Sequence, residues 1–301
     1  GKIKMDRLNS EVKKEINSLD FTTKEHSKRC AEIADKVASY LGYDEKDRSF
    51  LVNAAAIHDV GKRFIPEEIL NKDGPLTENE RVIINKHTVY GYIFCIKNEV
   101  LREYADVARH HHERLNGTGY PDKLTAEQIP EKIRIISAID VYEAVTSPHR
   151  PYRDSVSHKE AVEILKSNVE RCELEQKVTD VVIKVNGIEL ERKERIEKIL
   201  SVGQYNDKFK IGKDPNVNEE YKRQANLILK KGEWKGISSD IEVSANLLKM
   251  NYSKHQIIMA LKQNSPEIPG YEKGLQLNYA NAVLKEASRN ISLSKGLDLR
   301  R

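Results

Sequence analysis

Apolar residues recur at three- and four-residue spacing along almost the whole chain, and no stretch alternates apolar with polar as a half-buried strand would. Met5, Leu8, Val12, Ile16 and Leu19 make one stripe. Cys30, Ile33, Ala34, Val37 and Leu41 make the next, stopped by Gly42. Residues 51–57 form a compact apolar run, and further helical stretches cover 81–96, 104–112, 133–146, 161–169 and 178–185. Helices with one apolar face bury it only against other helices, so the first half of the chain is predicted to be an all-α bundle.

Residues 189–220 change character. ERKERIEK is followed by the turn-prone GKDPNVN, which reads as a charged linker that begins as a helix. Short helical segments follow at 221–230, 239–250, 253–264 and 273–289. Ser253 with Gln256 three residues later has the pattern of a capping box. The expected organisation is an N-terminal helix over 1–19, a main helical domain over 20–188, the linker over 189–220, and a small basic module of three or four helices over 221–301.

A third of the residues, 33%, are charged, and no apolar run reaches the length of a membrane span, which argues for a soluble chain and against a membrane partner. The first residues, GKIKMDRLNSEVKKEI, lack the apolar centre of a signal peptide. Cys30, Cys95 and Cys172 have no CxxC spacing, which disfavours a disulfide scaffold or a cysteine-zinc site and fits a reduced, cytoplasmic protein. The net charge of +4 is uneven: residues 1–190 carry −3 and residues 191–301 carry +7.

Chemistry concentrates in the first half. His26, His58, Asp59, His87, His111, His112 and Asp140 each sit in or beside an apolar helical stretch. Ionisable groups are costly to bury unless they are paired or bind a metal. Neighbours on a helix diverge by about a hundred degrees, so His58 and Asp59 are expected to straddle a pair of ions, with Asp59 bridging them. His111 and His112 are expected to face two different ions. Nitrogen and oxygen donors without cysteine favour iron or manganese over a structural zinc site.

The segments HSKRCAEIADKVASYLG, AAAIHDVGKRFIPEEIL, the isolated His87, HHERLNGTGYP and AIDVYEAVTSPHRPYR stand in this order across about residues 20–188. Together they resemble the HD-GYP family, a branch of the HD hydrolase superfamily. The resemblance implies an HD-type helical bundle and hydrolysis of cyclic di-GMP, or of a related cyclic dinucleotide such as cyclic GMP-AMP, to a linear dinucleotide by a metal-bridging hydroxide. It implies His26, His58, Asp59, His87, His111, His112 and Asp140 as ligands of two divalent ions, iron or manganese first, with zinc, nickel or magnesium as alternatives. Asp59 and Lys62 are then the catalytic pair. Lys62 stabilises phosphoryl charge, and Arg150 and Arg153 grip the substrate phosphates or stand as solvated surface charges. Tyr120 lines the nucleotide pocket or packs within its loop, and His110 has no family role and is expected on the helix surface or behind a ligand.

The chain departs from the family pattern at four places. Thr22 stands where some members carry a glutamate that supports a third ion, which favours a binuclear site. Glu143 replaces the usual aspartate, TSPHRPYR has one extra residue before an arginine, and Cys30 stands where valine is common, a neutral core exchange.

The C-terminal module is similar to helix-turn-helix and ubiquitin-associated-like bundles and to helical tails of plasmid mobilisation proteins. It reads first as a generic helical packing module, and its charge makes a nucleic acid or an acidic protein the alternative partner. Trp234 is expected as a core anchor, and His149, His158 and His255 as solvated. The N-terminal stripe is expected to pack on the bundle or to mediate a homodimer. Two rival functions remain: a cyclic-dinucleotide receptor with negligible turnover, and a hydrolase acting on nucleic acid guided by the basic module.

Overall fold

A computed structural model of the chain describes residues 7–147, 155–202, 216–250, 252–271 and 273–298. Among them there is no strand, only one isolated bridge between Asn116 and Thr125. The all-α expectation therefore holds. The chain divides into two compact units, Gly1–Asn186 and Gly187–Arg301.

The first unit is built from α1 (Ser10–Asn17), α2 (Phe21–Tyr40), α3 (Glu45–Ile57), α4 (Glu67–Leu70), α5 (Glu78–Asn85), α6 (His87–Ile96), α7 (Ala105–His110), α8 (Glu131–Thr146), α9 (His158–Glu170) and the start of α10 (Gln176–Val202). Polar side chains set the helix starts. Asn9, Asp20 and Asp44 each accept a hydrogen bond from the backbone N–H three residues on, and Thr77 with Glu80 forms a full capping box. Leu8, Val12 and Ile16 of the N-terminal stripe are buried in this unit's core. Met5 lies outside the described residues.

Five helices frame the interior: α2 packs on α3 and on α8, and α6 packs on α7 and on the tight turn Val60–Phe64. Ile135, Ile136 and Ile139 of α8 are fully buried. Each contributes roughly 1.5–3 kcal/mol by area transfer, so α8 is anchored firmly enough to hold a carboxylate in its middle. The apolar stretch over 81–96 forms two helices instead of one. It breaks at Lys86, where α5 ends and His87 begins α6.

The second unit contains α11 (Val217–Lys230), α12 (Ile237–Lys249), α13 (Lys254–Asn264) and α14 (Lys273–Asp298). Tyr221, Val243, Leu247, Ile257, Leu261 and Val283 form its core, joined by Ile199 of α10. The region read as a linker thus starts inside α10, and residues 203–215 are outside the described set. Ser253 and Gln256 do form a capping box. Trp234 packs against this core and donates its Nε1–H to Glu267. Asp240 is fully buried and accepts from the hydroxyls of Tyr221, Ser265 and Tyr279, so one carboxylate ties three other segments to α12.

Candidate metal centre

The middle of the first unit holds two groups of side chains able to bind a metal ion. His26, Cys30, His58 and Asp140 make one; Asp59, His87, His111 and His112 make the other. Within each, the ligand atoms lie within 4.8 Å of one another. The seven residues singled out from the sequence are therefore brought together, from α2, the end of α3, the start of α6, the end of α7 and the middle of α8.

Local geometry explains the convergence. His58 follows the last turn of α3, and Asp59 leaves the helix with φ −95° and ψ 10°. The divergence expected for helical neighbours does not apply, and His58 Nε2 lies 3.4 Å from Asp59 Oδ2. Asp59 sits between the two groups. Its Oδ2 is 3.4 Å from His26 Nε2, and its Oδ1 is 3.3 Å from His87 Nε2 and 3.6 Å from His111 Nε2. His111 and His112, expected to face different ions, belong to one group. They lie just beyond the end of α7, with ring centroids 4.2 Å apart. His112 still reaches the other group, with Nδ1 3.7 Å from Asp140 Oδ2.

Hydrogen bonds fix which nitrogen faces inward in four of the rings. His58 donates Nδ1–H to the Ala55 carbonyl and His87 to the Ile84 carbonyl, both at 2.7 Å. His111 directs Nδ1 at the carbonyls of Val107 and Ala108, and His26 directs Nδ1 at the Glu143 carboxylate. In each neutral ring the Nε2 lone pair is left facing the centre, the arrangement a metal-binding histidine requires. His26 and His58 accordingly place Nε2 atoms 3.2 Å apart, and His87 and His111 place theirs 3.3 Å apart.

The electrostatics match. Burial holds His87 down to about 3 and keeps His111 and His112 below the usual imidazole range. Burial opposes ionisation of Asp59, but Lys62 and His58 outweigh it and keep the carboxylate well below its ordinary range. Burial likewise opposes ionisation of Asp140, and His26 and His112 outweigh it. Burial opposes protonation of His26 as well, yet Cys30, Asp140 and Glu143 together raise its pKa. The Asp59 Oδ1 atom is buried without a hydrogen-bond donor. An orphaned anionic oxygen facing two imidazole lone pairs is stable only with a cation between them. The residues present fit a metal.

Lys62 places Nζ 2.5 Å from Asp59 Oδ2 and lines a cavity of about 370 Å³ that reaches His26, His112 and Asp140. Tyr120 does not line this cavity. Its ring stacks on His112 with centroids 4.8 Å apart. Arg150 and Arg153 lie outside the described residues, as does His149. His110 pairs with Asp122, and His158, expected to be solvated, makes a 2.8 Å hydrogen bond with the Tyr142 hydroxyl.

Several contacts could not be read from the sequence, even at Glu143 and Cys30, which it singled out. Buried Glu143 is gripped by Arg29 and holds His26, and its position three residues after Asp140 was its only signal. Glu113 accepts from the backbone N–H groups of Asp122 at 2.6 Å and Leu124 at 2.9 Å, which folds the glycine-rich loop back beneath the histidines. Gly119 passes so close there that a Cβ would lie 2.4 Å from the Arg114 nitrogen. Cys30 is buried as expected, but its Sγ also lies 3.7 Å from His26 Nε2.

A family model for the HD domain matches residues 11–178, more than half of the chain. The chain belongs to the HD domain family. The HD domain found here carries the motif set of the HD-GYP branch, and its relatives agree. It is 36% identical over 165 residues to the 3'3'-cGAMP-specific phosphodiesterase 1 of Vibrio cholerae, covering 54% of this chain and 37% of that protein. It is 36% identical over 148 residues to the cyclic di-GMP phosphodiesterase response regulator RpfG of Xanthomonas campestris, covering 48% and 39%. Identity to a cyclic di-GMP phosphodiesterase of Thermotoga maritima is 33% over 174 residues, covering 54% and 47%. The chain thus spans less than half the length of each of these relatives. Among the described residues, no helix is long and apolar enough to cross a membrane.

Proposed function

We propose that this HD domain is a phosphodiesterase that opens a cyclic dinucleotide, cyclic di-GMP or 3'3'-cGAMP, to the linear dinucleotide. The observation that carries this reading is the position of Asp59. Each of its carboxylate oxygens faces a different donor group, and its partner Lys62 lines a nucleotide-sized cavity together with His26, His112 and Asp140. The named activities of the relatives support the substrate class.

His26, His58 and Asp140 would hold one divalent ion, and His87, His111 and His112 the other, with Asp59 shared between them; iron and manganese suit this donor set. When bound, the pair supplies Lewis acidity at the phosphodiester and makes a water acidic enough to ionise near neutral pH. The chain's own residues then have defined tasks. Carbonyls behind the rings take Nδ1 of His58, His87 and His111 and leave their Nε2 atoms free to bind an ion. Glu143 and Arg29 fix the His26 ring. Lys62, at the cavity wall, neutralises charge that grows on the non-bridging phosphoryl oxygens, a contribution of about 3 kcal/mol for one such donor.

The test is anaerobic reconstitution with iron or manganese, then chromatography of the products from cyclic di-GMP and 3'3'-cGAMP. A linear dinucleotide is expected from the wild type. Asp59→Asn should lose both turnover and most of the bound metal. Retention of ligand for hours without product, at full metal loading, would replace this reading with that of a receptor.

A further inference from the structure

The cavity beside the metal centre has a second wall, formed by the segment between residues 70 and 84, which no motif marks. Arg81 and Ile84 are three residues apart on α5 and so share one helix face, and both line the cavity. Asn71 lines it from the end of α4, and Leu70, Pro75 and Leu76 complete the wall.

The polar groups of this wall differ from the other charged groups in the cavity. Lys62 is paired with Asp59, Arg29 is engaged by Glu143 and Ser147, and Asp20 caps α2. The Arg81 guanidinium and the Asn71 amide make no side-chain hydrogen bond or ion pair among the described residues. They open onto the cavity beside four apolar side chains.

Apolar surface with a planar, multi-donor group at its edge matches the two faces of a nucleobase. The flat ring is covered by apolar contact, and the polar rim is read by hydrogen bonds. A guanidinium fork matches the O6 and N7 acceptors of guanine and mismatches adenine, which presents an amino donor beside N7. A phosphate would instead be drawn to the cations and to Lys62.

We propose that this wall is a purine subsite in which Arg81 takes the O6/N7 edge of guanine while Leu76 and Ile84 cover the ring, so that Arg81 makes the site selective for guanine-containing dinucleotides. The proposal rests on the cyclic-dinucleotide reading above and names its specificity-determining residue.

The test is rapid-filtration binding of cyclic di-GMP and cyclic di-AMP to the metal-loaded full chain, as wild type, Arg81→Ala and Arg81→Lys, with product formation followed in parallel. Arg81 is exposed on a helix surface, so both variants should fold and retain wild-type metal content. The wild type is expected to prefer cyclic di-GMP. Arg81→Ala should weaken cyclic di-GMP binding at least about tenfold, as expected for one bidentate base contact, and leave cyclic di-AMP binding unchanged. Lysine lacks the fork and should restore little. Equal losses for both ligands with rescue by lysine would identify a phosphate contact and overturn the subsite, as would unchanged binding. Selective guanine binding without hydrolysis would sink the phosphodiesterase reading and leave the subsite standing. Hydrolysis with no base preference would do the reverse.

Discussion

Asp59 lies one residue beyond the last helical position that could have turned it away from His58, and that step lets one carboxylate serve two donor groups. The ligand types were legible in the sequence because charge in an apolar helical stretch demands compensation. Their division into groups was not, because it depends on where each helix ends. Glu143 shows the same limit. Its spacing from Asp140 is visible, but its grip on His26 and Arg29 requires α2 and α8 to be packed together. A carboxylate behind a metal-binding histidine orients the ring and raises its basicity, and losing one typically costs 10–100-fold in affinity. Glu143→Ala is therefore expected to weaken metal binding by about that factor in a chelator competition, with Glu143→Gln, which keeps an acceptor, closer to wild type. Unchanged affinity in the alanine variant would remove Glu143 from this role.

At the scale of elements, the helices were readable wherever an apolar stripe and a cap coincided, as at Ser253 and Gln256, and misread where a turn interrupts a continuous stripe. The break at Lys86 is the clearest case. Residues 81–96 carry an unbroken apolar pattern, yet α6 must start at His87 to aim that ring inward while its Nδ1 rests on the Ile84 carbonyl. The turn Val60–Phe64 sits directly against this helix start. A Cβ on Gly61 would lie 1.9 Å from the His87 carbonyl oxygen and 2.4 Å from the Gly91 nitrogen. Both neighbours are backbone, so the conflict can be relieved only by moving α6 away from the turn that carries Asp59. Gly61→Ala is expected to cost about 3 kcal/mol or more in denaturant unfolding and to lower metal affinity as well. A stable Gly61→Ala protein with normal metal content would show that this contact tolerates separation.

At the scale of the whole molecule, the second unit carries an acid-sensitive group of its own. Burial pushes Asp240 up to about 6 even though Ser265, Tyr221 and Tyr279 donate to it, and nearby Glu267 adds to the shift. An unfolded aspartate titrates near 4, so the folded state binds this proton more tightly. The associated stability is fully present below about pH 4 and is lost as the pH rises through about 6, in all about 3 kcal/mol. The single tryptophan, Trp234, lies in the second unit and reports on it alone. Its thermal transition should move to lower temperature between pH 4 and pH 6, and Asp240→Asn should flatten that dependence; a flat wild-type profile would count against the assignment. The existence of a second helical module was legible from composition and spacing. Its buried carboxylate was not, because three hydroxyls distant in sequence satisfy it. One helix, α10, contributes Val182 and Val185 to one core and Ile199 to the other. Cutting the chain after Asn186 would strip the four preceding carbonyls of their N–H donors and fray the last turn left to the first unit. Engineers who want that half alone should carry the cut well past the apparent border.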